Sequence, residues 1–450
     1  MAHNTNVTDV VPPYGGYPKF IQQGLNDHYL PVWLQQAGYN TYYTGKLMNA
    51  HNIQNWNSPP PAGWNQTGFM IDPGTYTYYN TCWQADLNPP VFRPGEYSTD
   101  IVSGTAIGYL EAASQNDRPF FLGIAPIAPH SQAVFPTPST YYFDPPVPAK
   151  RHEGLFLDAK VPRTSSFNPV QATDELVGAV IDKVTELGIA DNTYIIYTSD
   201  NGFHIGQHRL QPGKTCMFEE DINVPFFVRG PDIPKNHTVK FATSHTDIAP
   251  TIFTLAQIPL RADFDGTPIP LTVSAMAQAA QSPMHDHVTI EYWGAGAGEG
   301  IFARNGPNGS FTSWPNNTYK AMRIISPKYD LFYSVWCTNE HELYDMKTDP
   351  YQTNNLYDIS GSFYGHSIDQ VTARLDALLM VLKSCKNKQC TQPWLTIHPG
   401  GQVHNLAEAL ENNFDNFYAT QPRISFTKCE LGYIPLSEGA MDVVPWHLGD

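Results

Sequence analysis

Asn192-Thr193-Tyr194-Ile195-Ile196-Tyr197-Thr198-Ser199-Asp200-Asn201-Gly202-Phe203-His204 passes from a β-branched and aromatic run into a polar turn, the pattern of a buried strand ending in a functional loop. Just before it, Leu176, Val177, Val180, Ile181, Val184 and Leu187 repeat at helical spacing and stop at Gly188. Just after it, Val224 to Val228 reads as another strand and Asp247 to Ala256 as another helix. The same rhythm recurs upstream. Residues 28 to 37 form a short helical pattern closed by Gly38, followed by a strand from Tyr39 to Thr44. Ser98, Thr99 and Asp100 supply capping chemistry for a helix with Ile101, Val102, Ala106, Tyr109, Leu110 and Ala113 on its apolar face, and Phe120 to Ala125 follows as a strand. Strands alternating with amphipathic helices predict an α/β fold with a mostly parallel sheet flanked by helices on both faces.

From about residue 288 the pattern changes. V-T-I-E-Y-W, Y-K-A-M-R-I-I, Y-D-L-F-Y-S-V-W and H-E-L-Y-D are strands joined by turns, which predicts a smaller antiparallel sheet. A helix from Ser367 to Ser384 is expected to pack on it. The expected organisation is an α/β domain over residues 1–285, an antiparallel α+β subdomain over 286–394, and an extension over 395–450 without clear periodicity. The Gly-rich run from Gly294 to Gly300 matches neither dinucleotide-binding nor Walker spacing, and reads as a flexible loop.

Composition narrows the class. The 450 residues include 26 Lys plus Arg against 42 Asp plus Glu, a net charge of −16, with 15% charged and 13% aromatic residues. That balance describes a folded chain, and with no basic block it argues against nucleic acid as a partner. The longest apolar run, Pro119 to Pro129, carries three prolines and falls short of the roughly 18 residues a membrane span needs. There are six cysteines, and Cys385 and Cys390 close a loop short enough for a local disulfide. Sequons at Asn6, Asn65, Asn236, Asn308 and Asn316, taken with the even cysteine count, favour an oxidising secretory location. The terminus M-A-H-N-T-N-V-T shows no signal peptide.

In open α/β sheets ligands bind beyond the carboxyl ends of the strands. Here those ends deliver Lys46 from T-G-K, His130 from A-P-I-A-P-H, and Asp200 with Asn201 from T-S-D-N-G; Lys214 lies in R-L-Q-P-G-K-T. Singly, each has an ordinary role: Asp-Asn-Gly is turn chemistry and lysines are usually solvated. His204 and His208 read as satisfied polar residues, and Glu219-Glu220-Asp221 as a solvated cap. Together, two cations, an imidazole and an oxygen-ligand pair suit a tetrahedral oxyanion beside a hard cation such as Ca²⁺.

At these residues the chain resembles the sulfatase family of the alkaline-phosphatase-like superfamily. L-P-V-W-L-Q-Q-A-G-Y-N-T-Y-Y-T-G-K is similar to the family's helix-strand-lysine block, and R-P-F-F-L-G-I-A-P-I-A-P-H-S to its active-site histidine segment. N-T-Y-I-I-Y-T-S-D-N-G-F-H-I-G-Q-H-R-L-Q-P-G-K-T is similar to its metal-ligand and second-lysine segment. S-H-T-D-I-A-P-T-I-F-T-L-A and E-L-Y-D-M-K-T-D-P-Y-Q-T-N-N-L extend the likeness to about residue 356, and the details look closest to fungal arylsulfatases and N-acetylglucosamine-6-sulfatase. The resemblance implies an alkaline-phosphatase-like fold and hydrolysis of small-molecule or carbohydrate sulfate esters. It implies Asp200 and Asn201 as Ca²⁺ ligands, Lys46 and Lys214 on the sulfate oxygens, and His130 facing the leaving oxygen. It also implies a secreted or lysosome-like location and a formylglycine nucleophile made within C/S-x-P-S-R.

The chain departs from that pattern in several places. No C-x-P-S-R or S-x-P-S-R occurs in the 450 residues, and the family's first strand with its paired Asp is not matched. Met48 stands where the family's Lys-x-His has its histidine, and a second gap is expected near Phe167-Asn168-Pro169-Val170. The expectation is therefore an amino-terminally truncated sulfatase chain with an incomplete Ca²⁺ site, no sulfatase activity, and poor folding because apolar sheet edges are uncovered. Two other readings compete: a non-catalytic secreted glycoprotein that binds sulfated ligands, and a phosphodiesterase or phosphatase of the same superfamily.

Overall fold

The structure, a computed structural model, describes residues 1–137, 140–155, 171–279, 285–300 and 313–447. The gap expected near Phe167 to Val170 lies outside the described residues. Five strands form the central sheet: β1 Asn40–Lys46, β2 Gln66–Met70, β3 Asn80–Ala85, β4 Val91–Pro94 and β5 Phe120–Ala125, in the order β4-β3-β2-β1-β5. β1 pairs in parallel with β2 and β5, while β3 runs antiparallel to both β2 and β4. The expected mostly parallel sheet is thus a mixed one. The reason is connection length: the links from β2 to β3 and from β3 to β4 carry no crossover helix, so the chain can only double back.

The helices Ser98–Ser114 and Gln171–Glu186 cover one face through Val102, Ala106, Leu110, Leu176, Val180 and Val184. On another part of the sheet Phe69, Ile71 and Cys82 gather Tyr43, Trp56 and Trp64. A hairpin follows β5, made of β6 Gln132–Thr137 and β7 Thr140–Asp144. The strand β8 Ile195–Thr198 then arrives where the alternation requires it, but among the described residues its ladder partner is β10 Phe226–Arg229, antiparallel, and not β5. All residues of β5 and β8 are half-buried, and Phe227 is 65% exposed.

Between them lies β9 Gly213–Lys214, which pairs with β12 Gly296–Gly298; β13 Ser313–Trp314 completes that small sheet. The flexible loop expected at Gly294–Gly300 is therefore corrected to one containing the strand Gly296–Gly298, which lies close to β9 because Gly213 has no Cβ to meet the Ala297 carbonyl oxygen. The strands β11 His287–Tyr292, β14 Tyr319–Ile325, β15 Asp330–Trp336 and β16 His341–Asp345 form the antiparallel sheet in the order β11-β14-β15-β16. The helix Ile368–Leu382 starts in a capping box between Ser367 and Gln370 and packs against that sheet. Its core runs on into residues after 395, with Ile397, Leu406, Phe414 and Tyr418 buried in the same cluster as Leu331 and Leu378. Two disulfides, Cys385–Cys390 and Cys337–Cys429, close this region. The first residues return to it: the Met1 ammonium meets Asp265 at 2.8 Å and His3 Nδ1 meets Glu291 at 2.8 Å.

Candidate active site

Lys46 ends β1, preceded by Gly45 at φ +112°, where a Cβ would stand 2.0 Å from the Ala125 carbonyl oxygen. Only glycine lets β1 and β5 approach so closely at their carboxyl ends, and that approach places the Lys46 loop beside the loop leaving β5. In that second loop, His130 N–H donates to the Ile127 carbonyl at 2.7 Å and Tyr78 OH donates to the His130 carbonyl at 2.7 Å. The His130 ring lies against Tyr76, with centroids 4.3 Å apart. Its Nδ1 is 2.8 Å from the Ser131 carbonyl oxygen, which can only accept, so Nδ1 carries the proton and Nε2 presents a lone pair.

The charges around this loop are mutually coupled. Burial pushes the His130 pKa down to about 3, aided by the positive charges of Lys214 and Lys46 and opposed by the Ser131 carbonyl. Burial likewise brings Lys46 down to about 8, with Lys214 adding repulsion and Asp200, Asp72 and Glu299 acting the other way. Lys46 Nζ lies 4.7 Å above the Tyr76 ring. Lys46, His130, Lys214 and Asp200 thus occupy one electrostatic neighbourhood, although they come from β1, the β5 loop, β9 and the β8 turn. Asn201 adjoins through its N–H, which donates to Asp200 Oδ1 at 3.0 Å.

The donor set decides whether a metal fits. Asp200 and Asn201 supply two oxygen-bearing side chains, and the Asn201 amide nitrogen donates to the Gly202 carbonyl at 2.7 Å, leaving its Oδ1 as a ligand. Ca²⁺ takes six to eight oxygens. Among the described residues the cluster with metal-ligand spacing is instead His204, Cys216 and Asp221, whose ligand atoms lie within 4.8 Å of one another. Its Asp221 carboxylate already accepts from His204 Nδ1 at 2.8 Å and from the Cys216 N–H at 2.8 Å, and a thiol with an imidazole does not suit a hard cation. The described residues by themselves do not complete a Ca²⁺ shell.

Several residues of the pocket were not singled out from sequence. Asp72 and Tyr76 act on Lys46 from the loop after β2. His245 lies beside Asp200 and the Ser199 backbone. Glu299, at the end of the Gly-rich strand, accepts from Ser131 Oγ at 2.6 Å and stands 3.7 Å from Lys214 Nζ. Asp72-Pro73-Gly74 carries only a turn signal, and Glu299 is masked by its glycines. His208 stacks on Phe218 with centroids 3.7 Å apart, outside the cluster around His130.

Comparison with known proteins agrees with this architecture. Residues 1–258 match the family profile described as Sulfatase. The chain is 41% identical over 416 aligned positions to sulfatase ppz1 of Metarhizium majus, covering 85% of this chain and 88% of that protein. It is 35% identical over 486 positions to an arylsulfatase of Volvox carteri, covering 95% and 72%. To the N-acetylglucosamine-6-sulfatase of Bos taurus it is 28% identical over 437 positions, covering 87% and 71%. A solved structure in complex with its substrate D-glucosamine-2-N,6-O-disulfate superposes with a TM-score of 0.60 at 19% identity, covering 80% of this chain and 81% of the other. That likeness bears on the fold.

Proposed function

This chain belongs to the sulfatase family, a family of sulfate-ester hydrolases, and on that premise we propose that the pocket around Lys46, His130 and Lys214 receives the sulfate group of a sulfate monoester. The observation that carries this reading is that Lys46 Nζ and the His130 ring meet on the Tyr76 ring, at 4.7 and 4.3 Å, while Glu299 ties the His130 loop to Lys214 through Ser131 Oγ at 2.6 Å and Lys214 Nζ at 3.7 Å. Two half-buried ammonium groups held together repel each other, the carboxylates Asp72, Asp200 and Glu299 offset that repulsion from the side, and a tetrahedral oxyanion offers each ammonium its own oxygen. His130 presents Nε2 to that anion. Burial and the two lysines keep its ring neutral, and a bound ester's negative charge raises its affinity for a proton. Protonated, it donates to the ester's bridging oxygen, the atom that leaves with the alcohol or phenol.

Asp200 and Asn201 are assigned to the cation side of the pocket, where Ca²⁺ supplies charge neutralisation only when further oxygen ligands complete its shell. The nucleophile is a separate matter. None of the six cysteines lies in C-x-P-S-R. Burial raises the Cys82 thiol to about 11 and the Cys216 thiol to about 12, so neither is a thiolate at neutral pH. Covalent sulfuryl transfer has no first step on these residues. The 450-residue polypeptide accordingly binds sulfate esters without turning them over.

The test is calorimetric titration with 4-nitrophenyl sulfate, alongside release of 4-nitrophenol with and without a chelator. Binding weakened tenfold or more in Lys46→Ala and Lys214→Ala, with no release, is the expected result. Chelator-sensitive hydrolysis by this polypeptide overturns the inactivity, and binding indifferent to both lysines overturns the pocket. Secretion is supported by the two disulfides and by Asn6, Asn65, Asn236 and Asn316, all exposed; Asn308 lies outside the described residues.

A further inference from the structure

β12 carries Glu299 into the pocket along a fixed path. Ala297 pairs with Lys214 and Gly298 with Gly213, and the Glu299 N–H donates to the Pro212 carbonyl at 2.6 Å. A Cβ at Gly213 would lie 2.8 Å from the Ala297 carbonyl oxygen, so glycine is what lets the two strands lie together. The Glu299 side chain is fixed as firmly: the residue is 6% exposed, and its two oxygens face Ser131 Oγ at 2.6 Å and Lys214 Nζ at 3.7 Å. The longer distance exceeds a hydrogen bond. Lys214 therefore feels the carboxylate yet keeps its N–H donors for a ligand.

We propose that Glu299 is a specificity-determining residue, whose buried carboxylate makes the pocket accept a singly charged tetrahedral ester and reject a doubly charged one of the same shape. The inference rests on the pocket assignment above. A sulfate monoester carries one negative charge near neutral pH, whereas a phosphate monoester carries between one and two, with its second pKa at about 6. Shape hardly separates the two groups, so charge must. The pocket's cations, Lys46 and Lys214, face the carboxylates Asp72, Asp200 and Glu299, and the influence of Glu299 reaches both Lys46 and Tyr76. A fixed negative charge in a site of low dielectric repels a dianion about twice as strongly as a monoanion. Of the three carboxylates, Glu299 is the one paired directly with a pocket lysine.

The experiment titrates the 450-residue chain and its variants with 4-nitrophenyl sulfate and 4-nitrophenyl phosphate at pH 8, where the phosphate ester is a dianion. The wild type is expected to prefer the sulfate ester. Glu299→Gln, which keeps the size and an acceptor for Ser131, should shift the preference towards the phosphate ester by about tenfold or more. Ser131→Ala removes the hydrogen bond but not the charge, and should leave the preference where it was. Should Glu299→Gln fail to fold, Glu299→Asp, which withdraws the charge by one methylene, should give a smaller shift of the same sign. An unchanged preference in the Glu299 variant, with sulfate-ester binding still lost in Lys214→Ala, overturns the role of Glu299 and leaves the pocket standing. Binding of either ester that ignores Lys214 overturns both.

Discussion

His51 follows Lys46 by five residues and is 1% exposed. Its ring lies 4.4 Å from Tyr17 and 5.4 Å from Phe69, and the polar group that acts on it is the Trp56 backbone. Burial holds its pKa down to about 4, whereas an unfolded histidine titrates near pH ~6.5. Above that pH the ring is neutral in both states and stability is unaffected. As the pH falls below it, the unfolded chain gains a proton that the folded chain refuses, and stability drops until the folded ring also titrates near 4. From pH 7 to pH 5, linkage assigns a single such ring about 2 kcal/mol. Burial also brings His398 and the half-buried His285 down to about 4 and His130 down to about 3, with the same sign. Four rings together remove up to about 7 kcal/mol, comparable to a typical domain's entire stability. The carboxyls of Asp9, Asp72, Asp247, Asp376 and Glu342, raised by burial, act with the opposite sign and offset part of the total, so the single-ring comparison is the clean one. Lys46 and Lys383, both at about 8, are charged in both states below that pH, and Glu291 at about 2 loses its contribution only as the pH falls below the ordinary carboxylate range. The perturbation is His51→Phe, read by urea unfolding at pH 7 and pH 5. The variant should be about as stable at pH 7, because buried polar ring atoms with at most one weak partner are replaced by carbon, and should lose about 2 kcal/mol less than the wild type on acidification. Parallel losses in the two proteins would refute the argument.

Lys320 is fully buried, with Nζ 3.6 Å from Glu291, 3.7 Å from Glu438 and 3.5 Å from the centre of the Trp293 ring. Lys320→Met takes the buried ammonium from two carboxylates, leaving Glu291 with His3 and Glu438 with the Trp293 N–H, and should cost about 3–5 kcal/mol in urea unfolding, partly restored by adding Glu438→Gln. Removing Cys337–Cys429, with a sequence separation of 92, should destabilise by about 4–5 kcal/mol on the chain-entropy account. Removing Cys385–Cys390, separated by 5, should cost about 2 kcal/mol, so the order of the two losses is itself a check. The half-buried runs Phe120–Ala125 and Ile195–Thr198 should bind a hydrophobic dye at neutral pH; a monodisperse, dye-silent protein with a cooperative melt contradicts that and favours a stable binding protein.

What the sequence disclosed was local. The helix Ser98–Ser114, the strand Phe120–Ala125 and the helix Ile368–Leu382 carry their own periodicity and are found where it places them. The capping expected of Ser98, Thr99 and Asp100 is not made: Tyr97 is the N-cap and no side chain caps that helix, whereas Ser367 and Gln370 do form a capping box. Features that depend on distant pairing were not legible. The antiparallel course of β3 and β4 follows from short connections, and the bond between Cys337 and Cys429 spans a separation no spacing rule reaches. After residue 395 the chain packs through helices of four or five residues, such as Trp394–Ile397 and Asp415–Ala419. Those are too short to show a hydrophobic period, although Ile397 and Tyr418 are wholly buried. In the pocket, residues at strand ends stood out because polar groups are unusual there. Glu299 did not, because its strand has no side chains to alternate.

The pocket's charges are divided between separately hydrogen-bonded sheets, and that division governs how its chemistry can fail. Lys46 and His130 are carried by β1 and the β5 loop of the central sheet, whose approach is set by Gly45. Asp200 comes from the β8–β10 pair, and Lys214 and Glu299 from β9 and β12. Among the described residues no ladder joins β5 to β8; both strands have continuous apolar sequences of the kind normally covered on both faces, and both are half-buried. The relative position of the two lysines therefore depends on side-chain contacts between the sheets, among them the Ser131–Glu299 hydrogen bond at 2.6 Å, which ties the His130 loop to β12. Loosening the β5–β8 line should separate Lys46 from Lys214 before either sheet unfolds, so anion affinity should decline earlier along a denaturant series than helical content does.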